Sequence, residues 1–166
     1  MAKTVGVYIN ADDIKRTNLC SDLEAAQLAE KLREETLKNN ADFTFETVLS
    51  TDRNLNLLIK AKEQGYFIRC IYILTVTPEI NIARIRVREA SGGHGVPENK
   101  IRSRYEKALR IIPKLVKVCD IMHIYDNTEE PFRIFKKRKE LYFKWENSFW
   151  DLASIEKLTD IHIFQN

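Results

Sequence analysis

Glycine is scarce in this sequence. Five occur among 166 residues, three of them crowded into Gly92-Gly93-His94-Gly95, and none is followed by lysine. A GxxxxGK[ST] phosphate loop needs glycines for close backbone approach and a lysine for the terminal phosphates, so these residues contain no such loop. Cysteine is equally sparse. Cys20, Cys70 and Cys119 are widely spaced and form no CxxC pair, which excludes a disulfide scaffold and fits a reducing cytoplasm with buried thiols. No apolar run approaches the ~20 residues that cross a bilayer, and the short run at residues 5–9 lacks a signal-peptide cleavage pattern, so no membrane association is expected. Neither charge dominates: 27 Lys+Arg against 24 Asp+Glu leave +3. That bias is too weak to argue for a nucleic-acid partner, and any basic contact must be local.

What is present suits a single globular domain over residues 1–166, with 44% hydrophobic and 31% charged residues. VGVYI is a short strand ending abruptly at Asn10. SDLEAAQLAEKLREETLKNN predicts a helix, with Ser21 and Glu24 as a capping box and Leu28, Leu32 and Thr36 recurring every four residues. FTFETVL alternates as a strand, and STDRNLNLLIKAKEQG follows as a helix capped by Ser50 or Thr51 and stopped by Gly65. YFIRCIYILTV, the most apolar stretch, is expected to be a central strand buried on both faces.

Thr77 and Pro78 open the helix PEINIARIRVREA, and Pro97 opens another whose stripe is Ile101, Tyr105, Leu109 and Ile112. Pro113 is expected to kink or end that helix. CDIMHIYDN returns to strand, FRIFKKRKELYFKW predicts a hairpin turning near residues 136–139, and SFWDLASIEKL a short helix. Strands alternating with helices imply an α/β fold with a parallel sheet, flanking helices and ligands beyond the carboxyl ends of the strands. Asp12, Glu46 and Asp126 lie at such ends.

Asp12 and Asp13 follow Asn10 on a turn, where one acid suits a general base or metal contact and simple solvation explains them equally well. Glu46, among apolar neighbours, either orients a substrate hydroxyl or bridges to a helix. In RIRVREASGGHGVPENKIRSRY, Arg84 and Arg88 share a helix face, while Arg102 and Arg104 lie beyond the glycine turn. Two basic helices joined by a flexible loop form either a phosphate clamp or a solvated hairpin. His94 sits in that loop, and its spacing from His123 and His162 suggests no zinc site. Lys136, Lys137, Arg138 and Lys139 read as a solvated turn, with nucleic-acid contact the minority reading.

In their order, INADDI, FETVLS, AKEQGY, GGHGVP and IRSRY resemble the zeta-toxin-like P-loop kinases over about residues 6–127. Residues 128–166 then form a C-terminal extension of hairpin and helix. The resemblance implies a P-loop-kinase-like parallel sheet, with residues 1–127 as a truncated core from which the first strand and the phosphate-loop helix are missing. It implies ATP and Mg²⁺ as cofactors and a small-molecule hydroxyl as acceptor, with a UDP-sugar such as UDP-N-acetylglucosamine the best-known case.

By the same resemblance Asp12 is the base and Glu46 the acid on the acceptor, with Asn10, Thr47 and Ser50 as substrate contacts. Arg84 or Arg88 faces the γ-phosphate; His94, Arg102 and Arg104 belong to the lid; Asp126 and Asn127 border the nucleotide base. Without a phosphate loop, ATP affinity and rate should fall steeply. The chain is then expected to be a catalytically incomplete kinase, or a pseudoenzyme that binds an anionic ligand or an antitoxin-like partner. Sheet edges left open by a missing strand would favour self-association or a partner.

Overall fold

The computed structural model describes residues 4–93 and 95–162. His94 therefore lies outside the described residues. The chain forms two compact units divided between Val48 and Leu49.

The first unit contains β1 (Val7–Ile9), α1 (Ala11–Asn18), α2 (Asp22–Lys38) and β2 (Phe43–Phe45). β1 and β2 pair in parallel, with Val7 opposite Phe43 and Ile9 opposite Phe45. The turn expected after β1 is a helix start: Asn10 is the N-cap of α1, and Asp12 and Asp13 sit in its first turn, where carboxylates favour the helix dipole. The predicted capping box opens α2, with the Ser21 amide donating to Glu24 Oε2 at 2.9 Å and the Glu24 amide to Ser21 Oγ at 3.3 Å. The buried stripe of α2 is not the one its leucines suggest. Ala25, Ala29, Arg33 and Leu37 are buried, and Leu28 and Leu32 are exposed. Arg33 lays its guanidinium 5.2 Å from the centroid of the Phe45 ring, a contact that offsets part of the cost of burying it.

The second unit contains α3 (Asp52–Glu63), β3 (Arg69–Leu74), α4 (Pro78–Ala90), α5 (Glu98–Val118), β4 (Ile121–Asp126), β5 (Phe132–Arg138), β6 (Leu141–Lys144) and α6 (Leu152–Thr159). Its sheet has the order β3-β4-β5-β6. β3 and β4 are parallel, and the predicted hairpin adds β5 and β6 antiparallel. The core is built from Met122 and Ile124 of β4, Ile134 and Phe135 of β5, Ile112, Leu115 and Val116 of α5, and Ile155 of α6, all buried. A register shift opposite Ile124 and Tyr125 lets the adjacent Ile134 and Phe135 both be buried, which is what a bulge accomplishes. Among the described residues no helix is long and apolar enough to cross a membrane.

Further expectations need correction. Lys136, Lys137 and Arg138 are not a solvated turn: they lie in β5, and Lys137 is buried. β3 is not buried on both faces: it borders only β4 in its sheet, and Ile71 and Ile73 are 52% and 64% exposed. Of the kink or end expected at Pro113, the end does not occur: α5 runs on to Val118. Ile111, Ile112, Leu115 and Val116 are buried on both sides of Pro113, and their packing outweighs the ~3 kcal/mol that an internal proline costs. Of the three cysteines only Cys119 is buried, and Cys20 and Cys70 are half-buried.

Two contacts generate predictions. Gly6 has φ +63°, and a Cβ there would lie 1.8 Å from the Asp42 carbonyl oxygen, beside the 3.0 Å hydrogen bond from the Val7 amide to that same oxygen. Gly6→Ala must therefore part β1 from β2, and should lower the unfolding free energy by more than the ~1 kcal/mol of an ordinary glycine substitution. Urea unfolding checks this; an unchanged midpoint would contradict it.

Asp120, just before β4, receives the Lys62 ammonium of α3 at 2.5 Å and the Ile68 amide at 2.8 Å. Burial pushes its carboxyl up, but Lys62 and the Ile68 amide pull harder, and the net direction is down. Its contribution is present above the unfolded value of about 3.9 and is lost as pH falls through the lower folded value. The stability gap between wild type and Asp120→Asn should be widest near neutrality and shrink below about pH 4. A gap that stays constant over that range would contradict the assignment.

Candidate functional site

The parallel pairing of β1 with β2 decides where the chemistry of the first unit collects. Ile9 lies opposite Phe45, so Asn10 and Glu46 leave the two strands side by side. Asn10 Nδ2 donates to Glu46 Oε2 at 3.2 Å and to the Tyr8 hydroxyl at 3.1 Å. Its Oδ1 accepts from the Asp12 amide at 2.8 Å. The cap fixes which end of the amide is oxygen, and the nitrogen is left to face Glu46. One side chain thus sets the start of α1 and holds a carboxylate.

Asp13 is taken up by an ion pair with Arg16, while Asp12 is exposed. For Tyr8, the Asn10 amide pulls the phenol down, whereas Glu46 and burial push it up, and the net direction is up. Tyr8 therefore keeps its proton beside Glu46. Thr47, exposed, follows in the same unit; Ser50 is half-buried and belongs to the second. An exposed carboxylate, a second one held by an amide, and a protonated phenol suit hydrogen bonding to a hydroxyl and acceptance of its proton.

In the second unit the basic hairpin is more engaged than its sequence suggests. Arg86 pairs with Glu98 and Arg102 with Glu79, so both ion pairs join α4 to α5. The Arg102 partnership pulls the Glu79 carboxyl below its ordinary value and raises the guanidinium. Arg84 donates to the Thr128 carbonyl at 3.0 Å. Arg88 and Arg104 are exposed. The glycines that begin the intervening loop have a structural role. Gly92, at φ +86°, donates to the Glu89 carbonyl at 3.0 Å, and the Gly93 amide donates to the Arg88 carbonyl at 2.9 Å. These two bonds form a Schellman end to α4.

Asp126 faces inward, 1% exposed. Its Oδ1 accepts from the Thr128 amide at 3.0 Å and the Thr128 hydroxyl at 2.5 Å, and its Oδ2 from Asn147 Nδ2 at 2.8 Å. Thr128 Oγ1 in turn accepts from the Val76 amide at 2.9 Å, and the Asn127 amide donates to the Leu74 carbonyl at 2.7 Å. The Tyr105 hydroxyl lies 2.7 Å from the Thr75 carbonyl and 2.9 Å from that of Val76. Burial, then Glu79 and Asp126, push its pKa up to about 12, so it remains a donor. This network ties the loop after β3 to the loop after β4. Sequence reasoning missed Thr128 and Tyr105. The Asp-x-Thr spacing, a common side-chain turn, was the available signal for Thr128.

The structure thus gathers Asn10, Asp12 and Glu46 in the first unit, and links Arg84 to Asp126 through Thr128 in the second. A family model described as Zeta toxin matches residues 8–140. An uncharacterized protein of Haemophilus influenzae is 34% identical over 85 residues, which make up 51% of this chain and 61% of that protein. The chain thus spans about three-fifths of the length of this curated relative. No solved structure matches.

The matched stretch includes Asp126, whose removal would leave the Thr128 amide, the Thr128 hydroxyl and the Asn147 amide without their acceptor. Asp126→Ala should destabilise the chain by about 3 kcal/mol, since each unsatisfied buried donor costs about 1–3 kcal/mol before relaxation. Chemical denaturation measures this, and a loss under about 0.5 kcal/mol, the size of a neutral surface change, would contradict the network.

Proposed function

Because this chain belongs to the zeta toxin family, we propose that it carries the acceptor side of an ATP-dependent small-molecule kinase. The hydroxyl oxygen of the acceptor attacks the γ-phosphorus, Asp12 receives the hydroxyl proton, and ADP leaves. Glu46 accepts a hydrogen bond from the acceptor and orients it. The observation that supports this reading best is the Asn10 bond to Glu46, made by the same side chain that caps the turn carrying Asp12, because orienting an acceptor depends on a carboxylate held in place.

Asn10, Thr47 and Ser50 are assigned to the acceptor, which the family suggests is a UDP-sugar such as UDP-N-acetylglucosamine. Arg84, Arg88, Arg102, Arg104 and His94 are assigned to the phosphates. Asp126 and Asn127 are assigned to the loop beside the nucleotide base, with Asp126 holding that loop rather than touching ligand, given its burial.

ATP and Mg²⁺ are what the family implies, and the residues present fit them incompletely. Asp12 exposes a carboxylate of the kind Mg²⁺ takes. The 166 residues hold no Gly-Lys pair, and so supply neither a loop lysine nor a loop hydroxyl for the metal and the β- and γ-phosphates. No step is assigned to the metal. A second reading follows from the missing lysine and hydroxyl: a pseudoenzyme or binding module for an anionic ligand or an antitoxin-like protein partner.

Titration calorimetry with ATP-Mg²⁺ and with UDP-N-acetylglucosamine tests the kinase reading. The kinase reading expects saturable heat from the sugar nucleotide and heat from ATP at millimolar concentration. Heat from neither leaves only the binding module. Where transfer is measurable, Asp12→Asn should reduce turnover by about a hundredfold or more, as loss of a general base does, while leaving the heat of nucleotide binding intact. Unchanged turnover in Asp12→Asn would remove Asp12 from its role.

A further inference from the structure

We propose that the open face of the β3–β6 sheet binds single-stranded nucleic acid, an activity independent of phosphoryl transfer. The other face of this sheet supplies Leu74, Met122, Ile124 and Phe135 to the core. Alternation along the strands sends the remaining side chains the opposite way. The register aligns Ile71, His123, Lys136 and Phe143 in one row across all four strands. A second row runs Arg69, Ile121, Arg138 and Leu141, and Tyr125 stands opposite Arg133.

Two properties of these rows point to the ligand. The first is charge. Arg69, Arg133, Lys136 and Arg138 all lie on this face, the rows contain no carboxylate, and none of the four forms an ion pair among the described residues. The basic tetrad of the hairpin is thereby divided: Lys137 turns to the other face, where it is buried and donates to the Val116 carbonyl at 2.5 Å, leaving Lys136 and Arg138 here. The second is aromatic surface. His123 and Tyr125 lie stacked with centroids 6.3 Å apart, and Phe143 and Trp145 with centroids 6.2 Å apart. Arg133 sits 4.6 Å from the Trp145 ring centroid and Lys136 5.4 Å from that of Phe143.

Cations interleaved with rings on an open sheet are what a single strand requires, since phosphates take the charge and every base offers a π-face. A second copy of this face would bring like charges together, and an acidic peptide would leave the rings unused. Burial, then Arg133 and Lys136, hold the His123 pKa below its ordinary value, a further sign of the positive field concentrated here.

The test is fluorescence anisotropy of a labelled dodecamer of deoxythymidine, and of its uridine counterpart, against the full chain at several NaCl concentrations. Four phosphate contacts predict a log–log salt slope of about −3, at roughly 0.7 per contact for single strands. Lys136→Gln should flatten that slope by about 0.7. Phe143→Ala, at a position 42% exposed, should weaken binding about fivefold or more with the slope unchanged, as loss of one stacking platform does. Thermal melts of both variants establish that they fold, and Lys136→Gln decides the question should Phe143→Ala melt early. No binding at low salt, salt-independent binding, or binding that neither variant alters would overturn the proposal. So would displacement of the oligonucleotide by polyglutamate at equal charge, which would assign the face to an acidic protein, or a dimer in light scattering that Ile73→Glu disperses.

Discussion

The side-chain amide of Asn10 is the smallest feature on which the candidate site depends. A helix that starts directly after a strand has free amides to satisfy, and Asn10 Oδ1 satisfies the Asp12 amide at 2.8 Å. That bond orients the rest of the group, so the nitrogen must point outward, where Glu46 lies 3.2 Å away. Local capping chemistry therefore starts α1, on whose first turn Asp12 stands, and through the same side chain holds the Glu46 carboxylate. The parallel register of β1 and β2 makes the meeting obligatory, because both strands end at the same level.

The second unit solves a different problem with the same device. Carboxylates that look reactive in sequence are used there to hold loops. Asp120 fastens α3 and the entry to β3 through Lys62 and the Ile68 amide. Asp126 binds the loop after β4 to itself and, through Thr128, to the loop after β3. The arginines follow suit. Two guanidiniums join α4 to α5, and a third is spent on a carbonyl. A phosphate arriving here would have to compete with these partners, which lowers the affinity that a count of arginines suggests.

Much of this was legible in the sequence, for reasons that differ from element to element. The capping box of α2, the proline start of α4 and the hairpin were readable because each rests on local backbone chemistry. α1 was not, because eight residues of mostly polar sequence carry no apolar period, and its start depends on a cap that resembles a turn. β3 reads as a central strand because isoleucine and tyrosine fill it, yet its burial depends on a neighbour that composition cannot specify. Pro113 reads as a kink or an end because propensity ignores the buried residues on either side. Asp12 and Glu46 drew attention by their position at strand ends, and Asn10 through the family resemblance. Their mutual geometry was not, since a hydrogen bond between residues 36 apart in the chain leaves no local trace.

Asn10→Asp tests the central claim most directly, because aspartate caps a helix as well as asparagine does but replaces the donor that faces Glu46 with a second acceptor. Affinity for UDP-N-acetylglucosamine should be lost in this variant, while its circular dichroism and unfolding midpoint stay near those of the parent. Undiminished affinity in a folded Asn10→Asp protein would contradict the account, since it would mean that holding Glu46 has no part in recognising the acceptor.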